Sequence, residues 1–140
     1  MKPNKIPKIM SDFISEHHVL VLATTQDDMP CACSLFYCFL EDEKCFVFAS
    51  DEETEHMKNI LQNPDVAGAI HTETKEIEQI KGIQIKGMVE MAQARHERLY
   101  LKEYPYASSI KDKRIWVLKL IQLKYTDNSL GFGQKELWQY

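Results

Sequence analysis

From Gly82 to Met91 the chain alternates with a period of two. Ile83, Ile85, Val89 and Met91 fall on one side, and Gln84, Lys86, Met88 and Glu90 on the other. This is the pattern of a strand with one buried and one wet face, which suits an antiparallel sheet better than the apolar strands of a parallel one. Gly82 and Gly87 interrupt the run where a strand curling into a barrel needs bends. A second long strand, Ile115 to Thr126, changes phase in mid-course. Trp116, Leu118 and Leu120 share one face, then Ile121, Leu123 and Tyr125 take over. A β-bulge near Leu120 and Ile121 would turn both sets inward.

Shorter elements fit around these two. Ile6, Ile9, Met10, Phe13 and Ile14 recur at helical spacing, with Pro7 suited to a first turn and an end near Glu16. Val19 to Thr25 and Cys31 to Leu40 read as a hairpin across the turn Gln26 to Pro30, and Cys45 to Ser50 as a third strand after Glu41-Asp42-Glu43-Lys44. Ser50 or Asp51 can cap a helix that carries Met57, Ile60 and Leu61 inward, with Glu52 and Glu53 in its first turn; Asn63-Pro64 ends it. Val66 to His71 is a short strand, Thr72 to Gln79 a charged connection, and Ala92 to Glu103 a helix with Leu99 and neighbouring aromatics inside. Glu136 to Tyr140 closes the chain as a strand. The expected fold is mainly β, a small closed or split antiparallel β-barrel with peripheral helices, formed as a single domain over residues 1–140.

Composition excludes several classes. Seventeen Lys and Arg against 21 Asp and Glu give a net charge of -4, the wrong sign for a general nucleic-acid binder. Apolar runs are broken by charges well short of the ~20 residues of a membrane helix. Met1-Lys2-Pro3-Asn4-Lys5 leads into no secretory apolar core, so the expected location is the cytoplasm. Cys31, Cys33, Cys38 and Cys45 are close in sequence, but on a strand Cys31 and Cys33 share a parity that Cys38 lacks. They read as small buried hydrophobes, with no metal site expected. Walker loops, nucleophile elbows and dinucleotide fingerprints do not occur.

The order of elements and several strings resemble the split-barrel flavoproteins related to pyridoxamine 5'-phosphate oxidase, most closely a short bacterial branch. W-V-L-K-L-I-Q-L-K-Y-T-D-N-S-L-G-F-G from Trp116 to Gly133, G-I-Q-I-K-G from Gly82 to Gly87 and N-P-D-V-A-G from Asn63 to Gly68 carry the likeness. The resemblance implies a homodimer with FMN in a groove between subunits, acting as an oxidoreductase on a small organic or flavin-like substrate. On its pattern Cys33, Ser34, Leu35 and Phe36 lie along the flavin, and Ser50, Thr54, Glu55 and His56 stand where the phosphate is held. Gln84 corresponds to a flavin-contacting glutamine, Lys86 projects beside it, and Phe132 in the glycine-rich turn lies near the cofactor edge. The chain departs from the pattern at Glu55-His56, where relatives carry Arg-Lys, and at Cys33, where an arginine is common. Those departures motivate an alternative: a non-enzymatic or haem-handling protein that takes a flat ligand in the same groove, with His56, His71 or His96 as an axial ligand. Each candidate also has a structural reading. Lys86 suits a solvated face, His56 a helix surface, Phe132 a core plug, and Trp116 and Trp138 core or dimer anchors.

Overall fold

In a computed structural model, which describes residues 4–110, 113–131 and 134–140, seven strands form one antiparallel sheet that closes on itself. Its elements are α1 (Lys8–Glu16), β1 (Val19–Gln26), β2 (Met29–Leu40), β3 (Cys45–Ser50), α2 (Glu55–Gln62) and β4 (Asp65–His71), then β5 (Lys81–Met91), α3 (Ala94–Glu103), β6 (Arg114–Asp127) and β7 (Lys135–Gln139). The spatial order is β3-β2-β1-β4-β5-β6-β7, and β3 also pairs with β6. Six strands therefore make a closed barrel, and β7 hangs beside it.

The split lies in β6. Its first half, from Arg114 to Lys119, pairs with β3, and Gln122 to Thr126 pairs with β7. Leu120 N–H donates to Lys44 O at 3.0 Å, and Tyr140 N–H donates to Ile121 O at 2.9 Å, so the strand changes partner between these two residues. On its other edge β6 follows β5 throughout. Lys86 faces Gln122 while Gly87 faces Leu120, which leaves Ile121 as the extra residue of a bulge.

The phase change in the sequence is this bulge. It turns Leu123 and Tyr125 into the core behind Leu120, but Ile121 itself is 52% exposed, contrary to the expectation that it faces inward. Gly87 sits opposite the bulge, and a Cβ there would come within 2.3 Å of Lys119 O. Only a residue without a side chain fits there. Gly82 is different: a Cβ would meet nothing nearer than Ile70 O at 3.4 Å.

The barrel interior is filled by Leu20, Leu22, Phe46, Phe48, Ile83, Ile85, Leu118 and Leu123, all essentially buried. A second cluster, with Cys38, Cys45, Val47, Tyr100, Ile115 and Val117, seals α3 against the outside of β2, β3 and β6. Cys38 and Cys45 are buried as small hydrophobes, whereas Cys31 and Cys33 are only half-buried. Burial pushes the Cys33 and Cys38 thiols to about 11 and that of Cys45 to about 12. Two helix faces differ from the sequence reading. Leu61 and Leu99 are exposed; on α3 the neighbouring aromatic Tyr100 is buried as expected, but His96 takes the inner place of Leu99. The cap of α2 is Thr54, whose Oγ1 accepts the Met57 N–H at 3.3 Å, so Ser50 and Asp51 precede the helix and Glu55, not Glu52 or Glu53, is the acid of its first turn.

Candidate functional site

Strand parity decides what the β2 candidates present. Cys33 and Leu35 face the barrel interior opposite Leu22 and Leu20, whereas Ser34 and Phe36 face outward. Outside the barrel, Ser34 and Phe36 form one wall of a 570 Å³ groove. Ala49, Ser50 and Asp51, at the end of β3, make its floor. Tyr100 and Tyr104 of α3 form the far wall, continued by Tyr106, Ala107 and Ile110, with Lys113 at one end.

The hydroxyls of this wall are fixed. Tyr104 donates to Tyr37 O at 2.7 Å and Tyr100 to Phe36 O at 3.4 Å, so their rings stand as apolar surfaces. Tyr104 lies 4.9 Å from the Tyr100 ring and 5.7 Å from that of Phe36, centroid to centroid. Burial pushes the Tyr104 phenol up to about 12 and raises that of Tyr100, so both stay protonated at neutral pH.

Three candidates meet at the floor. Ser50 Oγ lies 2.5 Å from His56 Nε2, and Thr54 Oγ1 lies 3.3 Å from the same nitrogen. The Trp116 indole donates to Ser50 O at 3.1 Å and holds the strand end in place. Burial lowers the His56 pKa despite the pull of Glu55, which leaves a neutral imidazole at neutral pH. Glu55 is exposed.

Gln84 and Lys86 lie elsewhere on the same outer surface. The register aligns Ser34, Val21, Ala69, Gln84, Lys124 and Leu137 in one cross-strand row, and Ala32, Ala23, Ala67, Lys86, Gln122 and Gln139 in the next but one. Ser34 and Gln84 are three strand spacings apart, about 14 Å along the sheet. Within one chain these candidates do not converge. The surface between them consists of Val21, Ala23, Ala32, Ala67 and Ala69, small side chains on a face of β1, β2 and β4. Phe132 lies outside the described residues.

Sequence and structure comparisons agree with this architecture. The family profile described as pyridoxamine 5'-phosphate oxidase matches residues 6–127. The chain belongs to that family. It is 39% identical over 137 residues to a UPF0306 protein of Photorhabdus laumondii, covering 94% of each chain. Among solved structures, a heme-binding protein from Mycobacterium smegmatis superposes with a TM-score of 0.76 at 20% identity. The match covers 91% of this chain and 55% of that one, so the chain spans about half its length. An FAD-binding protein from Mesorhizobium loti superposes with a TM-score of 0.69 at 12% identity, covering 82% of this chain and 87% of that one. At such identities the two structures establish the split-barrel fold and nothing further.

Against the family pattern, sequence reading missed two groupings. The aromatic wall was signalled only by the tyrosines at 100, 104 and 106. The second is Glu43, Cys45 and His96, whose potential ligand atoms all lie within 4.8 Å of one another. Their donors do not suit a metal. His96 Nδ1 accepts the Gln93 N–H at 3.0 Å, so its proton sits on Nε2 and points to Glu43 Oε1 at 3.2 Å. A histidine ligand needs the opposite arrangement, a free lone pair on one nitrogen and an N–H to donate from the other. The buried Cys45 thiol is also held protonated. Arg95 takes Glu43 Oε1 at 2.5 Å, and its guanidinium, first, and His96, second, bring the Glu43 carboxyl down to about 2. This cluster ties the start of α3 to the β2–β3 turn.

Proposed function

We propose that the chain is an FMN-binding oxidoreductase of small molecules, built as one domain that works as a homodimer in the cytoplasm without nucleic-acid or membrane partners. The observation that carries the reading is the aromatic groove with Ser50 in its floor, backed by His56, which also meets Thr54. Its 570 Å³ lies within the ~300–1,000 Å³ range of small-molecule sites. Toward a flavin phosphate the groove offers the Ser50 hydroxyl and the Lys113 ammonium, set against the Asp51 carboxylate on the same floor, while Thr54 Oγ1 already donates to Asp51 O at 2.8 Å and His56 is neutral. Ser34 and Phe36 would flank the ring system, with Cys33 and Leu35 contributing only backbone. A bound flavin would supply hydride or electron transfer, and the protein orientation and exclusion of water. Gln84 and Lys86, about 14 Å from Ser34 on their own chain, would serve the groove of a second copy, and the small-residue face between them is where that copy would dock.

A haem-binding reading draws on the heme-binding structural neighbour and on the absence of Arg at Glu55-His56 and Cys33. Its axial ligand would be His56, since both nitrogens of His96 are engaged and His71 is exposed on another strand. Titration with FMN and with hemin, combined with sedimentation, separates the readings. Saturable quenching of FMN fluorescence at one FMN per chain, with a dimer in the centrifuge, is expected. A Soret shift with hemin alone would replace the flavin reading with the second one, and binding of neither ligand would refute both.

A further inference from the structure

We propose that Cys31 and Cys33, assisted by the Met29 thioether, form a binding site for a soft monovalent metal ion of the Cu(I) type. The three residues alternate along β2, and their parity is that of Leu35, which faces the barrel interior. Ser34 and Phe36 point the other way, into the aromatic groove. The inference therefore goes beyond the flavin reading, because it requires neither a ligand in the groove nor a second copy.

The register places the sulfurs at the hairpin end of the barrel, with Met29 opposite Gln26, Cys31 opposite Thr24 and Cys33 opposite Leu22. Thr24 is buried, and its Oγ1 accepts from Asn59 Nδ2 of α2 at 3.0 Å, so the wall beside Cys31 is fixed. Both cysteines are half-buried and Met29 is exposed, so these sulfurs border solvent, unlike Cys38 and Cys45 beneath α3. The strand parity that sets Cys38 apart is the same one that brings Cys31 and Cys33 together.

Strand spacing decides what two thiols so placed can do. Alternate residues of a strand stand about 6.6 Å apart, whereas a disulfide needs its Cβ atoms at about 3.8 Å, so this pair does not close one within the ladder. An ion held by two thiolates at about 2.3 Å each needs the sulfurs only about 4.6 Å apart, which a small lean of each side chain supplies. Burial first, and the nearness of Cys31 second, push the Cys33 thiol up to about 11, so the two sulfurs already sense one another. Donor type and number then select the ion. Zinc asks for four ligands, but among the described residues the one close cluster of three imidazole, thiol or carboxylate donors is Glu43, Cys45 and His96, elsewhere. Two thiolates and a thioether, with no nitrogen or oxygen donor, suit a soft monovalent ion that accepts two or three ligands. Cu(I) would displace both thiol protons, giving a bis-thiolate complex of charge -1 and two H⁺ with no change of oxidation state. Met29, flexible and at the open end of the strand, can close over the ion.

The test is an anaerobic titration of the reduced full-length protein against Cu(I) held by bicinchoninate, whose colour fades as the protein takes the metal. One equivalent per chain is expected to be withdrawn. Ag(I), which has the same preference and resists oxidation, should shift the amides of residues 24, 29, 31 and 33 saturably. C31S/C33S should lose the equivalent, and C38S/C45S, which removes the two sealed thiols, should keep it. M29L should hold the ion less tightly, and Zn(II) should leave the amides of residues 29, 31 and 33 unmoved. The shift map of the unaltered protein keeps the test decisive if a variant fails to fold. No withdrawal of Cu(I), retention of the equivalent by C31S/C33S, or Ag(I) shifts centred on Cys38 and Cys45 would overturn the proposal. Unchanged affinity in M29L would overturn the part given to the thioether, and equal binding of Zn(II) the choice of a soft ion. FMN titration in parallel keeps the two sites apart, since failure at the groove leaves metal uptake on the opposite face of β2 unaffected.

Discussion

Replacing Gly87 with alanine tests the geometry on which the barrel seam depends. The new Cβ would lie 2.3 Å from Lys119 O and 2.8 Å from Leu118 Cδ1. A carbon and a carbonyl oxygen are ordinarily no closer than about 3.3 Å, so something must retreat by about 1 Å. Leu118 is fully buried and Lys119 O belongs to strand backbone, so neither yields easily. Overpacking of this kind costs about 3 kcal/mol, partly offset by about 0.5–1 kcal/mol because alanine has less conformational freedom to lose than glycine. The net loss is about 2–2.5 kcal/mol. With a urea m-value of about 2 kcal/mol/M the unfolding midpoint should fall by roughly 1 M. Gly82→Ala is the internal control on the same strand. With ordinary contacts and no positive φ, it should be neutral or stabilise by up to about 1 kcal/mol. A Gly87→Ala midpoint within about 0.5 kcal/mol of wild type, at unchanged m, would refute the claim that the bulge at Ile121 requires bare backbone opposite it.

The Glu43 tie gives a pH signature. Its carboxyl is held at about 2 in the folded state, below its unfolded value, so its contribution is present above about pH 4.5 and lost as pH falls toward 2. Urea midpoints of Glu43→Gln and wild type should differ by no more than about 1 kcal/mol near pH 6, given the partial exposure of the pair, and converge near pH 2; a gap that widens on acidification would contradict the assignment. Thiol labelling at neutral pH should be slow at Cys33, Cys38 and Cys45, whose thiols burial keeps protonated, until denaturant is added; prompt labelling of Cys38 or Cys45 in the native protein would show that α3 does not seal them. Tyr104→Phe removes the donor to Tyr37 O and should cost about 1 kcal/mol in the same urea assay, and an unchanged midpoint would mean that water already satisfies that carbonyl.

The barrel could be read from the sequence because its signals are local. Alternation from Gly82 to Val89, failing at the 70% exposed Met91, and the phase slip after Leu120 record two of the three longest strands and the bulge between them. The β2 site residues were named as a run, yet parity divides them, Ser34 and Phe36 outward and Cys33 and Leu35 inward. Helix faces were harder. A periodicity argument puts Leu99 inside and treats His96 as polar, whereas His96 is buried because Glu43, 53 residues away in sequence, and the Gln93 N–H satisfy both its nitrogens. Pairings over that distance leave no trace in a local pattern. The aromatic wall was missed for a related reason. It becomes a site only once α3 lies across β2 and β3, a packing that neither element's sequence specifies alone.

The change of partner in β6 also determines how the chain ends open. Among the described residues β7 pairs only with the second half of β6, and its Trp138, buried in the core, donates to Asn4 O at 3.3 Å, so both termini are held by one short strand. Detaching β7 breaks that ladder and frees the segment before α1 while the six-strand closure stays intact. Amides of residues 135–139 should therefore exchange with deuterium through a shared opening of low free energy, together with those near Ile6. Amides of 115–119, held between β3 and β5, should exchange only when the whole molecule unfolds. The two ends of this chain would then fray as one unit.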